Sequence, residues 1–198
     1  MEQPNGRLAS AMAYAALIHG IQKRKGTNIP YVSHLMSVSA LVMEFGGDED
    51  QAIAGMLHDA LEDCGAEHEK IIRTNYGDRV ANIVRGCTDG VPDASGRKPP
   101  WRQRKERYLE HLRGAAMDTL LVSACDKLHN ARAIVADLRA GHDVFSRFTA
   151  GKSGTLWYYG ELASLFRERL GSDAAVAREL TAAVEAMKSE ADGIRPGP

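Results

Sequence analysis

Cysteine is scarce in this sequence, and long apolar runs are missing. The three cysteines, Cys64, Cys87 and Cys125, are scattered without CxxC spacing, which predicts reduced thiols and excludes a disulfide framework. No apolar run approaches the roughly 20 residues that a membrane helix needs. The first ten residues, MEQPNGRLAS, carry neither the basic nor the apolar segment of a secretory leader. We therefore expect a cytoplasmic protein that does not associate with membranes.

The sequence also lacks an excess of charge of either sign. It holds 25 Lys and Arg against 26 Asp and Glu, a net charge of −1, which gives no general attraction for nucleic acid or for an anionic membrane. Any basic binding site must therefore be local. A chain of 198 residues with 44% hydrophobic residues is long and apolar enough for a packed core, and we expect a single domain over residues 1–198.

Strand-like alternation of apolar and polar residues does not recur along the chain, whereas apolar residues at helical spacing do. The fold class is therefore all-α, with roughly eight to ten helices. The spacing and the turn residues predict helices over 8–22, 31–45, 48–63, 66–75, 77–87, 101–113, 117–139, 153–169 and 173–190.

Three segments of the chain raise separate expectations. TDGVPDASGRKPP, residues 88–100, is rich in Gly, Pro and Asp and predicts a loop, for which a plain connector is favoured over a flexible lid. The apolar face of helix 173–190 can pack on the core or on a second copy of the chain, so a homo-oligomer stays open. The tail DGIRPGP is expected to fray.

The stretch GMLHDALEDC, residues 55–64, concentrates charge at the edge of an apolar helix. On a helix His58, Asp59, Glu62 and Asp63 fall within an arc of about 140°. A solvated face is the ordinary explanation of such an arc. Here the carboxylates repel one another, and the helix holds no Lys or Arg to offset that repulsion. A divalent cation is the simplest compensation, since imidazole and carboxylate are natural metal ligands.

Two more residues in apolar helices complete a ligand set. His34 lies in YVSHLMSVSALV and, taken alone, is explained as a hydrogen-bonded core histidine. Asp126 lies in LLVSACDKLHNARAIV, where burying an unpaired carboxylate is costly. Neither Lys127 nor Arg132 stands where we expect it to pair with Asp126. The combination predicts a metal site drawn from three helices, with the ligands His34, His58, Asp59 and Asp126.

Together these motifs resemble the HD superfamily of metal-dependent phosphohydrolases, whose pattern is H…HD…D. HDALED is similar to the HDxxED form of alarmone hydrolases, the hydrolase domain of RelA/SpoT-type enzymes and their small single-domain relatives. HGIQKRKGTNIPYVSH, DKLHN and YGDRVANIVRGCTD are similar to further segments of that family. The resemblance covers about residues 8–170 and implies an HD-domain helical bundle. The long enzymes add a synthetase domain after the hydrolase, so we expect this chain to be a stand-alone small hydrolase.

The resemblance implies a reaction, a cofactor and a division of roles. The family hydrolyses the 3′-pyrophosphate of a guanosine or adenosine alarmone, (p)ppGpp or (p)ppApp, with Mn²⁺, although the ligand types also suit Fe²⁺ or Zn²⁺. The cation would polarise a phosphoryl oxygen and lower the pKa of water. Glu62 and Asp63 are not needed as ligands, and the resemblance makes them the catalytic residues that orient the water and handle its proton.

Three polar residues outside the cluster are implied as the contacts for a nucleotide substrate. Arg24 and Lys25 precede Gly26 in a basic turn that, without the resemblance, is explained as a solvated surface; a guanidinium and an ammonium there would suit phosphate groups. Asn130 both donates and accepts hydrogen bonds and shares the helix face of Asp126. A surface amide is its ordinary explanation.

Two other functions fit the same motifs. One is an HD phosphohydrolase of a different nucleotide phosphoester, a nucleotidase or an NADPH phosphatase, because one metal site activates water against many phosphoesters. The other is a catalytically silent nucleotide-binding module. No residue identifies the base of the nucleotide or the number of its 5′ phosphates.

Overall fold

The computed structural model describes residues 6–90 and 99–193. Within these ranges the chain forms helices and no strand, which confirms the predicted all-α class. A π-helical turn, Ala60–Cys64, follows the third helix, and a 3₁₀ turn, Phe145–Arg147, precedes the eighth. The helices are α1 (Gly6–His19), α2 (Val32–Glu44), α3 (Glu49–Leu57), α4 (His68–Tyr76), α5 (Asp78–Cys87), α6 (Trp101–Gly114), α7 (Met117–Arg139), α8 (Gly151–Leu170) and α9 (Ala175–Gly193).

Helix α7 is the axis of the bundle, since it packs on α2, α3, α5, α8 and α9. Its inward side chains Leu120, Ala124, Leu128 and Ala131 are fully buried. Because apolar neighbours surround α7 on several sides, a polar side chain on it is removed from water and needs a partner. This placement gives Asp126 its environment.

Small residues let α2 and α3 approach closely. A Cβ added at Gly55 would lie 3.2 Å from the Cα of Ser39, and Ser39 Oγ donates a hydrogen bond of 2.8 Å to the carbonyl of Ala52. The near contact of the two backbones brings His34, on α2, beside His58, which follows α3. The site geometry therefore depends on this helix pair.

Helix α3 begins as predicted and ends earlier than predicted. Asp48 and Gln51 form a reciprocal capping box at its start. The helix predicted to continue to residue 63 stops at Leu57 and passes into the π-helical turn. There the amide of Gly65 donates to the carbonyl of Ala60 over 3.2 Å. A π-turn adds one residue per turn and is frequent at functional sites.

The other boundaries follow the sequence closely. Helix α1 ends at His19 instead of residue 22 because Gly20 has a left-handed φ of 47°. Helix α9 buries Val176, Leu180, Val184 and Met187 against α7 and α8. Of the two expectations for this helix, the structure thus shows packing of its apolar face on the core. Residues 91–98 of the predicted loop and 194–198 of the predicted tail lie outside the described residues. Among the described helices, none has the length and apolarity of a membrane span.

Candidate active site

Side chains from α2, from the end of α3 and from α7 meet in one buried cluster. His34 Nε2 lies 3.2 Å from Asp126 Oδ1, and His58 Nε2 lies 3.5 Å from the same oxygen. Asp59 Oδ2 lies 3.0 Å from His58 Nε2 and 3.8 Å from His34 Nε2. His34, His58 and Asp126 each offer a ligand atom within 4.8 Å of the others. The structure thus brings together the four residues predicted as metal ligands.

Two nitrogen atoms in this cluster indicate that it suits a cation. The Nε2 atoms of His34 and His58 are buried and have no hydrogen-bond partner among the described residues. His58 Nδ1 lies 2.8 Å from the carbonyl oxygen of Gly55, so it carries the hydrogen and leaves the lone pair on Nε2. Imidazole lone pairs aimed at carboxylates make a ligand set that fits a divalent metal.

The electrostatics of the cluster differ between its two imidazoles. Burial lowers the pKa of His34 and outweighs the attraction of Asp126. Burial opposes protonation of His58 as well, but the attraction of Asp59 and Asp126 outweighs it and raises the pKa of His58 well above its ordinary value. A field that stabilises positive charge on a buried ring also favours a bound cation.

Asp126 has two protein partners besides the histidines. Asn130 Nδ2 donates to its Oδ1 over 2.6 Å, and Lys127 Nζ donates to its Oδ2 over 2.5 Å. The expectation that Lys127 cannot pair with Asp126 is wrong, because the flexible lysine stem folds back along α7. Arg132 pairs with Glu179 instead. Burial opposes ionisation of Asp126, but the attraction of Lys127 and His58 lowers its pKa well below the ordinary value.

A second layer of side chains holds the cluster, and sequence reasoning missed it. His129 Nδ1 lies 2.8 Å from His34 Nδ1, and burial lowers the pKa of His129 to about 4, so this ring is neutral near pH 7. Tyr31 donates from its hydroxyl to Asp59 Oδ2 over 2.5 Å. Both residues lie within the segments PYVSH and DKLHN, next to predicted ligands, and that adjacency was the available signal.

Glu62 and Asp63, predicted as catalytic residues, both lie on the π-helical turn. Glu62 is half-buried and Asp63 is exposed. Asp63 Oδ2 accepts a hydrogen bond of 2.8 Å from Gln22 Nε2, and the amide of Asp63 donates to the carbonyl of Asp59 over 2.9 Å. The π-turn, which directly follows the pair His58-Asp59, therefore carries both carboxylates.

A pocket of about 550 Å³ adjoins the cluster, and its wall includes Arg24, Lys25 and Asn130. Arg24 Nη2 donates to Asn130 Oδ1 over 2.9 Å. Tyr31 and His129, which contact the cluster, also line this pocket. The volume lies in the range of small-molecule sites. The three residues predicted to bind substrate are thus brought together beside the cluster.

Arg147 also lines the pocket and packs against Gly26 of the basic turn. A Cβ added at Gly26 would lie 2.5 Å from the Cδ of Arg147, and Gly26 has a left-handed φ of 72°. Arg147 Nη1 donates to Asp137 Oδ2 over 2.6 Å. Both Arg147 and Asp137 line the pocket. A glycine at position 26 therefore serves both the turn and the packing of Arg147.

The fold and cluster define a class that comparison with known proteins identifies. Residues 11–156 match the family model described as HD domain. The chain belongs to the HD domain family, as its motifs predict. A solved structure described as a metazoan ortholog of SpoT that hydrolyzes ppGpp matches with a TM-score of 0.72 over 93% of this chain and 97% of that chain, at 23% identity. At that identity the match supports the fold.

Curated relatives place the chain within the branch that the motifs predict. It is 30% identical over 141 residues to the guanosine-3′,5′-bis(diphosphate) 3′-pyrophosphohydrolase MESH1 of Drosophila melanogaster, covering 70% of this chain and 75% of that protein. It is 33% identical over 126 residues to the guanosine-3′,5′-bis(diphosphate) 3′-pyrophosphohydrolase of Aquifex aeolicus (strain VF5), covering 63% of this chain. The chain spans only 17% of the length of that bacterial protein.

Proposed function

We propose that this protein is a metal-dependent phosphohydrolase that removes the 3′-pyrophosphate of an alarmone nucleotide, (p)ppGpp or (p)ppApp. The observation that carries the proposal is the junction of the buried His–Asp cluster with a nucleotide-sized pocket walled by Arg24, Lys25 and Asn130. The relatives' printed activity supports it. We place the activity in the cytoplasm, in a single HD domain whose partner is a small-molecule nucleotide.

We assign the cation to the four-residue cluster and propose Mn²⁺. When bound, Mn²⁺ supplies a Lewis acid for a phosphoryl oxygen and makes water more acidic. The chain's own residues hold the geometry: His58 is fixed by Gly55, and Asp126 by Lys127 and Asn130. Since His34, His58 and Asp126 are buried, their lone pairs keep one direction and need little reorganisation during the reaction.

Glu62 and Asp63 are the residues we propose for the water and its proton. A bond forms between the water oxygen and the phosphorus attached to O3′, and the bond from that phosphorus to O3′ breaks. A carboxylate near the attacking water accepts its proton, and the carboxylate pair returns that proton to O3′, so the products are pyrophosphate and a free 3′-hydroxyl. Arg24 and Lys25 suit the phosphate oxygens, as a fork donor and as a point charge.

The reaction is tested by incubating the purified protein with Mn²⁺ and with ppGpp or ppApp in parallel, separating the products by anion exchange. We expect pyrophosphate and the 5′-nucleotide, both lost in EDTA. The ratio of the two rates identifies the preferred base. Turnover of only another phosphoester, such as a nucleoside monophosphate or NADPH, or nucleotide binding without any turnover, contradicts the proposal.

The catalytic assignment is tested by the double variant Glu62→Gln/Asp63→Asn. We expect its turnover to fall by about 10²–10⁴-fold, the range for general acid–base groups, while Mn²⁺ still binds. Glu67→Gln is the matched control, because Glu67 is an exposed carboxylate just after the same turn. Full activity in the double variant would show that these carboxylates do not handle the water.

A further inference from the structure

Two hydrogen bonds connect the end of α1 to the π-helical turn. His19 Nδ1 lies 2.7 Å from Gln22 Oε1, and Gln22 Nε2 donates to Asp63 Oδ2 over 2.8 Å. We propose that Gln22, oriented by His19, is a positioning residue that holds the Asp63 carboxylate in its working orientation. The inference rests on the proposed function, because it concerns the residue assigned to the water.

The direction of this connection follows from its two ends. A carboxylate only accepts hydrogen bonds, so the amide NH₂ of Gln22 faces Asp63 and its carbonyl faces His19. His19 therefore carries its hydrogen on Nδ1. Its Nε2 is buried and has no hydrogen-bond partner among the described residues. The Cys64 thiol lies 3.7 Å from Nδ1 but can donate its hydrogen to the carbonyl of Ile18 over 3.6 Å, which leaves the Nδ1 hydrogen for Gln22. The amide of Gln22 accordingly has one favoured orientation.

His19 and Gln22 are themselves held in place. His19 is 5% exposed, and its ring stacks on Tyr31 with centroids 5.4 Å apart. The backbone amide of Gln22 donates to the carbonyl of His19 over 2.8 Å, and its carbonyl accepts from the amide of Tyr31 over 2.9 Å. Two backbone hydrogen bonds thus hold Gln22 in place, and the hydrogen bond from His19 orients its side-chain amide toward Asp63.

Asp63 is the more exposed member of the pair proposed for the water. A general base acts only within hydrogen-bond reach of the water, so one defined rotamer among the staggered alternatives favours turnover. A neutral amide orients the carboxylate without bringing a full positive charge beside it, which would lower its proton affinity. Glutamine suits this position better than lysine or arginine for that reason.

The competing explanation is that the hydrogen bond of Gln22 to Asp63 only stabilises the packing of the α1–α2 turn against the π-turn. If Gln22 has only this structural role, its loss lowers the stability of the fold and weakens turnover, nucleotide affinity and metal affinity together. A positioning residue affects turnover and leaves nucleotide and metal affinity in place. The two explanations therefore predict different patterns when kcat, KM, Mn²⁺ affinity and Tm are measured together.

The test compares Gln22→Met, which keeps the length of the side chain and removes its hydrogen bonds, with Lys23→Met in the same turn. Lys23 Nζ donates to Asn28 Oδ1 within that turn. We expect Gln22→Met to lower kcat about tenfold, since general-base contributions are 10²–10⁴-fold and only orientation is lost. KM and Mn²⁺ affinity should stay within about twofold, and Lys23→Met should match the wild type. Wild-type kcat in Gln22→Met overturns the proposal.

A double-mutant cycle separates this inference from the proposed function. If Gln22 acts through Asp63, Gln22→Met costs activity in the wild type and nothing further in Asp63→Asn. Equal losses in both backgrounds overturn the inference, whereas an unimpaired Asp63→Asn variant overturns the catalytic assignment. Crystal structures of the wild type and Gln22→Met give a readout independent of activity: an unchanged Asp63 rotamer in the variant overturns the positioning role.

Discussion

The buried His–Asp cluster and the adjoining pocket share α7 but are built differently. In the cluster His34 and His58 are 1% exposed and Asp126 is 5% exposed, and each of the three has a hydrogen bond that fixes it. In the pocket the basic residues Arg24 and Lys25 are half-buried and exposed, respectively. Burial enforces one geometry in the cluster, whereas more exposed basic side chains line the pocket.

The largest effect should come from removing Asp126. Asp126→Ala deletes a ligand and leaves the largely buried Lys127 without its partner, so we expect loss of metal binding and a decrease of about 3–5 kcal/mol in the free energy of unfolding. Urea unfolding without metal measures the second effect. Adding Lys127→Met should restore most of the stability and none of the metal binding. If the double variant is as unstable as the single one, the unpaired lysine is not the cause.

A graded effect on the cluster should come from its second layer. His129→Phe removes the acceptor beside His34 Nδ1, and we expect Mn²⁺ affinity to fall by about 10–100-fold, the usual range for such outer groups. Titration with Mn²⁺ against a competing chelator measures it. His129→Asn offers an acceptor at a similar distance and should recover part of the loss. Unchanged affinity in His129→Phe would mean that the ligand orientation does not depend on this contact.

A substitution in the pocket should change substrate affinity more than metal affinity. We expect Arg24→Ala to raise KM by about 10–100-fold, since a hydrogen bond to a charged group contributes 1.5–3 kcal/mol. Its Mn²⁺ affinity should remain that of the wild type. Lys23→Ala is the control for charge alone, because it removes a neighbouring cation of the same turn. A similar KM in both variants would favour the solvated-turn explanation of this segment.

The smallest effect should come from the turn that supports the pocket. Gly26→Ala places a Cβ at left-handed φ, at a cost of about 1–2 kcal/mol, and also forces Arg147 to move. Gly46→Ala is the control, because Gly46 has a φ of 85° and no atom within 4 Å of its added Cβ. Thermal unfolding should show a larger loss for Gly26→Ala. Equal losses would show that the contact with Arg147 contributes nothing measurable.

Local patterns were enough to predict most of the fold. Apolar spacing predicted the helices because each helix must cover one stripe with the core. The end of α3 was missed because the π-turn depends on how the backbone closes after Leu57, which helical spacing does not report. The pairing of Lys127 with Asp126 was missed because adjacent positions on a helix diverge at Cβ, while a lysine stem has enough rotatable bonds to return.

The sequence by itself determined the all-α class, the family and the candidate residues, because side-chain chemistry and periodicity are local properties. Only the tertiary structure decided which side chains meet. It placed the unsatisfied Nε2 atoms of His34 and His58 beside Asp126, and it joined the cluster to a pocket. It also brought Gln22 to Asp63. These contacts join residues far apart in the chain, so they arise from the packing of whole helices and turns, which no local pattern specifies.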